Sequence, residues 1–484
     1  MKILVKLLLI AVLSVNSVFA QLNFRITGTV APEMQGNVQL RIDKTFLNRA
    51  HQINSGMIND GRISIKAILD RNHIAELSSK YFSIPIYIEP NDSLNIDLTE
   101  ATSNYASYIT GTGAEENKFL QKFLKQFGDD FNDSLDQLKI LSTTIDAYEN
   151  FLFKERRAQM DFLNSDPNSK NFTPSFIAFI ENEIRYHYWK SLYSYPIINA
   201  NSDSKILTVN PLPDIMLENF DKVKVNNDSA MICHSYREFL KYYVIYTTSK
   251  ANEFKKFKDT KVSTDRKYNI AREKLESNIF LYWLAKYTID EHMKLTPSTV
   301  KGLLVSLKDA DVSSNYFGIV NDLCLARANA PENLDVQKPA GKLDGNEAGL
   351  VDLKGKPVTF AKFKGKVVYI DFWASWCGPC RKMMPFSKQM HDQLTEKQKK
   401  DIVFLYISID ADSASWRKAM TDLEIEGTHF ISPGNWSSKV CKYFNISSIP
   451  RYMIMNKAGD IVDFNAKRPA DPAVLQELIK LSGE

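Results

Sequence analysis

Cysteine is scarce: five in 484 residues, too few for a fold stitched together by disulfides. Histidine is also sparse, with seven dispersed through the chain. Cys233 and His234 are adjacent, but no further ligands stand at metal spacing, so no metal site is expected. No block of Lys and Arg occurs and the formal net charge is only +4, which removes the electrostatic footprint of nucleic-acid binding. Past residue 20 no run reaches the roughly 20 apolar residues that a membrane span requires. Internal repeats and low-complexity tracts are missing too. What remains is ordinary globular composition, 44% hydrophobic and 24% charged, in a chain longer than one core organises. Two or three domains are expected.

Residues 1–20 read as a signal peptide. Lys2 and Lys6 precede the apolar run Leu7 to Leu13, and Val18 and Ala20 occupy the −3 and −1 positions of a cut before Gln21. Residues 22–112 read as a β-rich amino-terminal domain. Phe24–Val30, Val38–Ile42, Ile63–Ala67 and Ile84–Ile88 mostly alternate, with turns at Asn59–Gly61 and Pro90–Asp92. A small antiparallel sandwich is the expected result. From 115 to 330 the apolar period switches to that of a helix. Phe119, Phe123, Phe127 and Phe131 step by four and Leu135 and Leu138 continue the stripe, which reads as core. Helical patterning recurs over Phe176–Tyr193, Tyr236–Tyr246, Leu275–Met293 and Val300–Leu307. Residues 331–345, with prolines and glycines among polar neighbours, read as a linker to a last domain, 346–484.

The chemistry concentrates in that last domain. Val367–Trp373 is a mostly apolar run suited to a strand buried on both faces. It leads directly into Trp376-Cys377-Gly378-Pro379-Cys380, where a helical pattern starts and carries Pro385 as an expected kink. The free N–H groups and dipole of a helix start favour an anion, so a cysteine there ionises more readily, and the thiolate is the nucleophile. A second cysteine three residues on lies about one turn along and can close a disulfide with the first. Cys377 is therefore expected to be the attacking thiol and Cys380 the buried resolving thiol. Haem attachment would require His at position 381, which is Arg. A purely structural disulfide stays open as the competing use. A second buried strand over Ile402–Ile409, a helix over Ser413–Leu423, a hairpin from Arg451–Met455 to Ile461–Phe464 and a last helix over Pro472–Leu481 complete the pattern. Cys441 reads as a small buried residue, and Cys233 and Cys324 are undecided between pairing and separate burial.

These residues carry a resemblance. Asp371-Phe-Trp-Ala-Ser-Trp-Cys-Gly-Pro-Cys380 resembles thioredoxin, and residues 346–484 resemble the TlpA/ResA-like exported thiol–disulfide oxidoreductases. Residues 22–330 are more weakly similar to the accessory region that often precedes such domains. The resemblance implies an α/β thioredoxin fold at the carboxyl end, after a small β-sandwich-like domain and a mostly α-helical region. It implies a cis-proline at Pro450, in Ser447-Ser-Ile-Pro450, with Ile449 beside it to pair with an extended substrate. It places Asp371 under the dithiol as the proton acceptor for Cys380, and Trp376 as a cap over the site. Two departures stand out. Met383 replaces a glutamate frequent in those relatives, and Arg451 replaces a frequent threonine, which is expected to bring a charge near the substrate groove.

The expected function is an exported thiol–disulfide oxidoreductase of the periplasm or another extracytoplasmic compartment. It reduces disulfide-bearing proteins without a cofactor and is re-reduced by a transmembrane thiol carrier. An oxidase or isomerase using the same dithiol, a thiol peroxidase, and a redox-sensing binding protein remain as rivals.

Overall fold

The structure is a computed structural model that describes residues 23–47, 51–79, 81–99, 109–202, 205–312, 316–329, 348–444, 446, 449–464 and 466–483. The signal-peptide reading of residues 1–20, the linker at 331–345, and Ser447 and Ser448 lie outside the described residues.

Eight strands open the chain: β1 (Phe24–Val30), β2 (Asn37–Asp43), β3 (His51–Met57), β4 (Arg62–Ala67), β5 (His73–Ser78), β6 (Ser83–Ile88), β7 (Ser93–Leu98) and β8 (Ile109–Thr112). They form two four-stranded sheets, ordered β4-β1-β7-β8 and β3-β2-β5-β6. Buried and open positions alternate along β1, β4 and β5, as a strand with one face in a core requires. Ile26, Ile65 and Ile96 of one sheet share a core with Leu40, Leu77 and Ile86 of the other. The expected sandwich is present, but it is not purely antiparallel: β1 pairs with β7 in parallel, Arg25 opposite Ser93 through Val30 opposite Leu98. The five intervening strands, four of them in the second sheet, supply the long connection a parallel pair needs.

Two sequence choices fix local geometry here. Asp60 and Gly61 both have positive φ, 50° and 69°, the conformation of a tight two-residue turn between β3 and β4. Gly28 lies on β1 where an added Cβ would stand 2.1 Å from the carbonyl oxygen of Ile96. Gly28→Ala is therefore expected to push β1 off β7 and destabilise the protein by about 1–3 kcal/mol, the usual cost of overpacking. A lowered urea midpoint checks this, and an unchanged midpoint would show that the pair relaxes freely.

The helices that follow are α1 (Ala114–Phe127), α2 (Asp133–Ser142), α3 (Ile145–Ser165), α4 (Pro174–Ser202), α5 (Asp214–Leu217), α6 (His234–Ala251), α7 (Thr260–Lys274), α8 (Ser277–Glu291), α9 (Pro297–Ala310) and α10 (Phe317–Ala328). The phenylalanine stripe is core, but not one helix. It breaks at Gly128, so Phe119, Phe123 and Phe127 sit on α1 and Leu135 and Leu138 on α2. Phe119 packs 5.5 Å from Phe162 and 5.2 Å from Phe172, centroid to centroid. Buried Asn117 on α1 accepts from the Tyr87 N–H and donates to the Tyr87 carbonyl, satisfying both backbone groups on edge strand β6.

The chain falls into two compact units. One holds the described residues up to Gly128 with Arg156–Tyr186 and Ser229–Tyr236; the other holds Asp129–Glu155, His187–Asp228 and the described residues from Arg237 onward. Helices α3, α4 and α6 contribute to both. Cys233 belongs to the first, its Sγ 3.5 Å from the Phe179 carbonyl oxygen. Cys324 belongs to the second, its Sγ 4.0 Å from the Thr288 carbonyl oxygen.

The second unit carries the last sheet: β9 (Leu350–Val351), β10 (Pro357–Val358), β11 (Val367–Trp373), β12 (Ile402–Ser408), β13 (Thr428–Ile431), β14 (Arg451–Met455) and β15 (Ile461–Asp463). Helices α11 (Gly378–Asp392), α12 (Glu396–Asp401), α13 (Ser413–Asp422), α14 (Lys439–Tyr443) and α15 (Pro472–Ser482) accompany it. The strand order is β10-β9-β13-β12-β11-β14-β15. β11, β12 and β13 are parallel, and β14 runs antiparallel to β11. All seven residues of β11 are buried, which accounts for a composition that is apolar but for Asp371.

Candidate active site

Strand β11 delivers the chain into the turn at Ala374–Cys377, and α11 begins at Gly378. Cys377 is the N-cap of that helix, its Sγ accepting from the Cys380 N–H at 3.1 Å. Such a cap, at the positive end of a 15-residue helix, favours a sulfur anion over a thiol. Cys377 and Cys380 form a disulfide, with Cα atoms 5.3 Å apart. Cys377 keeps 5% of its surface exposed and Cys380 none, so of the two cysteines only the first is reachable from solvent. Helix α11 continues through Pro385 to Asp392, and Met383 is buried on it.

The turn that presents Cys377 is pinned from the neighbouring strand end. Asp410, just past β12, accepts from the Ser375 N–H at 3.0 Å and the Ser375 hydroxyl at 2.7 Å. The Ser408 hydroxyl donates to the same carboxylate at 2.7 Å. Sequence reasoning missed Asp410. Its signal is an acid ending the strand parallel to β11, which register places beside the turn.

Asp371 lies on β11 with Tyr406 of β12 and Tyr452 of β14 as its cross-strand partners, so the two tyrosines flank it on one face. The carboxyl is fully buried, and neither oxygen has a hydrogen-bond partner among the described residues. Burial alone pushes its pKa well above the usual carboxylate range, because the charged form loses its water without gaining a cation.

The Ile449–Pro450 bond is cis and immediately precedes β14. Register pairs Arg451 with Phe372, which brings Pro450 to the dithiol end of the sheet. The Arg451 Nε donates to the Phe464 carbonyl, just past β15, at 2.9 Å. Trp376, next to Cys377 in the chain, is 49% exposed. Its indole N–H donates to Asn435 Oδ1 at 3.2 Å. Cys441 is buried with its pKa raised by that burial, as a packing residue requires.

Sheet order and the dithiol at the start of α11 together define a domain of the thioredoxin fold. Comparison with known proteins agrees: residues 365–461 match the family described as thioredoxin-like. ResA thiol–disulfide oxidoreductase of Bacillus thuringiensis subsp. konkukian is 26% identical over 113 residues, 23% of this chain and 62% of the relative. That of Bacillus subtilis is 24% identical over 113 residues, 23% of this chain and 60% of the relative. The chain thus spans less than two thirds of the length of these relatives. The solution structure of a Bacteroides vulgatus protein assigned as a thiol–disulfide oxidoreductase is 32% identical. It aligns with 28% of this chain and 88% of its own, with a TM-score of 0.25. Residues 365–461 thus form a thioredoxin-like domain, similar to that of the ResA thiol–disulfide oxidoreductases.

Among the described residues no helix is long and apolar enough to cross a membrane.

Proposed function

We propose that this protein is an extracytoplasmic thiol–disulfide oxidoreductase that reduces disulfides in other proteins. The observation that carries the reading is the asymmetry of the pair, with Cys377 reachable at a helix N-cap and Cys380 sealed behind it. In the dithiol form the Cys377 thiolate attacks one sulfur of a substrate disulfide. An S–S bond forms to Cys377, and the substrate's other sulfur leaves as a thiolate. Cys380 then gives its proton to Asp371 and attacks Cys377 Sγ. The second substrate sulfur departs, leaving the Cys377–Cys380 disulfide. Two electrons pass from protein to substrate. Trp376, Ile449 and Pro450 border the segment that presents the substrate disulfide.

Each cycle leaves the protein oxidised, so a reductant must restore the dithiol, and in an oxidising compartment a transmembrane thiol carrier fits that need. The leader-like residues 1–20 support export. Residues 22–112 and 115–330 we read as accessory regions before the linker at 331–345 and the redox domain at 346–484. The Gly-Pro pair between the cysteines is that of thioredoxin, which favours the reducing direction. The test is the equilibrium reduction potential of the dithiol against glutathione. A value near about −270 mV is expected, and one near about −120 mV would make the protein a disulfide donor.

A further inference from the structure

Two tryptophans stand open beside the dithiol. Trp376, the residue before Cys377, is 49% exposed and Trp436 is 38% exposed. Their ring centroids are 5.8 Å apart with the planes at 62°, an edge-to-face pair. Sixty residues of chain separate them, so the pairing is a product of the fold and not of the Cys-x-x-Cys motif.

The turn that brings Trp436 there is built for the purpose. Gly434 and Asn435 both have positive φ, 120° and 52°, a conformation that glycine adopts freely and asparagine tolerates. The Gly434 N–H donates to the Asp410 carbonyl oxygen at 3.2 Å. Asp410 is the residue whose carboxylate pins Ser375, so one residue fixes both the cysteine turn and the tryptophan turn. Asn435 then accepts the Trp376 indole N–H, which leaves that ring's polar edge satisfied and its apolar surface in water.

Paired indoles with the donor of one already engaged offer a partner dispersion and ring contact, not hydrogen bonds or charge. Because the pair is continuous with Cys377, whatever covers it must arrive together with the disulfide being attacked. We propose that Trp376 and Trp436 form a docking clamp for an apolar or aromatic side chain next to the reactive cysteine of a disulfide-bearing polypeptide, with Trp436 as a specificity-determining residue. This assignment rests on the thiol–disulfide reading above.

The test compares two peptide disulfides of equal charge, one with Leu and Phe flanking the cysteine and one with Gly and Ser. The full chain is used, and both turnover and the affinity of unreactive analogues with serine for cysteine are measured. Wild type is expected to prefer the apolar peptide in both readouts. In Trp436→Ala the preference in kcat/KM should shrink by about tenfold, about 1.4 kcal/mol of transition-state binding. Trp436→Phe should keep most of it, which separates a lost ring from a collapsed turn. If Trp436→Ala retains the wild-type preference, or wild type binds both analogues alike, the clamp is wrong. If the analogues bind with the expected preference and no disulfide is reduced, the clamp stands and the oxidoreductase reading is what fails.

Discussion

Cys380→Ser protein is expected to become covalently trapped on its substrate. Without the resolving thiol, the mixed disulfide to Cys377 has no internal route to release. An external thiol must reach a cysteine that is only 5% exposed in the free protein and covered further by the bound substrate. An intramolecular thiol works at an effective concentration that can reach about 10⁵ M or more, against millimolar external thiol. Even a fraction of that advantage makes the steady-state rate fall by at least about 10³-fold. Intact-mass spectrometry of the reaction should show one substrate chain bound per protein, removable by strong reductant. Cys377→Ser should show no adduct, because Cys380 has no exposed surface to attack with. Equal adducts in the two variants would mean that the assignment of attacking and resolving thiols is reversed or void.

Asp371→Asn should make the protein more stable and less active. The carboxyl is buried with no hydrogen-bond partner among the described residues and its pKa is raised by burial, so the folded protein keeps a proton that the unfolded chain releases above about pH 3.9. That advantage of the protonated form is fully present below about pH 3.9 and is lost as pH rises from there through the raised folded-state value, with a slope of up to about 1.4 kcal/mol per pH unit. An amide does not ionise, so the variant should show a flatter profile and a higher melting temperature at pH 7 to 8. The chemistry moves the other way. Removing a general base costs about 10²- to 10⁴-fold, and the loss should fall on the resolving step while the first attack by Cys377 is spared. Stopped-flow kinetics separate the two. A variant that is less stable yet resolves at the normal rate would show that Asp371 is a packing residue and that Cys380 loses its proton elsewhere.

How far the site could be read from sequence depends on how local its parts are. Cys377, Cys380 and Asp371 belong to one strand–turn–helix stretch. The apolar run of β11 and the helix start after it are written in consecutive residues, so those positions were legible. Asp410, Asn435 and Trp436 come to the same place from two other loops, and nothing in their own neighbourhoods announces it. The upstream regions divide similarly. β1, β2 and β4 alternate cleanly, β6 does so over its first half, and all four were readable. β3, His51–Met57, is mostly polar with a glycine inside it, and β8 has only four residues; both are held by their neighbours more than by their own composition. Helix α7 was invisible to apolar periodicity because it buries only Thr264 and Ala271. The stripe from Phe119 to Leu138 misled in a different way, since helical spacing continues in number across Gly128 while the helix itself stops.

The parallel pairing of β1 with β7 bears on the order in which the molecule can be assembled. β1 is an interior strand of its sheet, with β4 on one edge and β7 on the other. A ribosome or a translocation pore delivers it first, yet its neighbours arrive only with Arg62–Ala67 and then Ser93–Leu98. Until then the earliest segment of the sandwich waits with open hydrogen-bonding edges, a template for wrong partners. The amino-terminal sheet must therefore close backward onto its own beginning, and a nascent chain halted before residue 98 has no finished sandwich to offer.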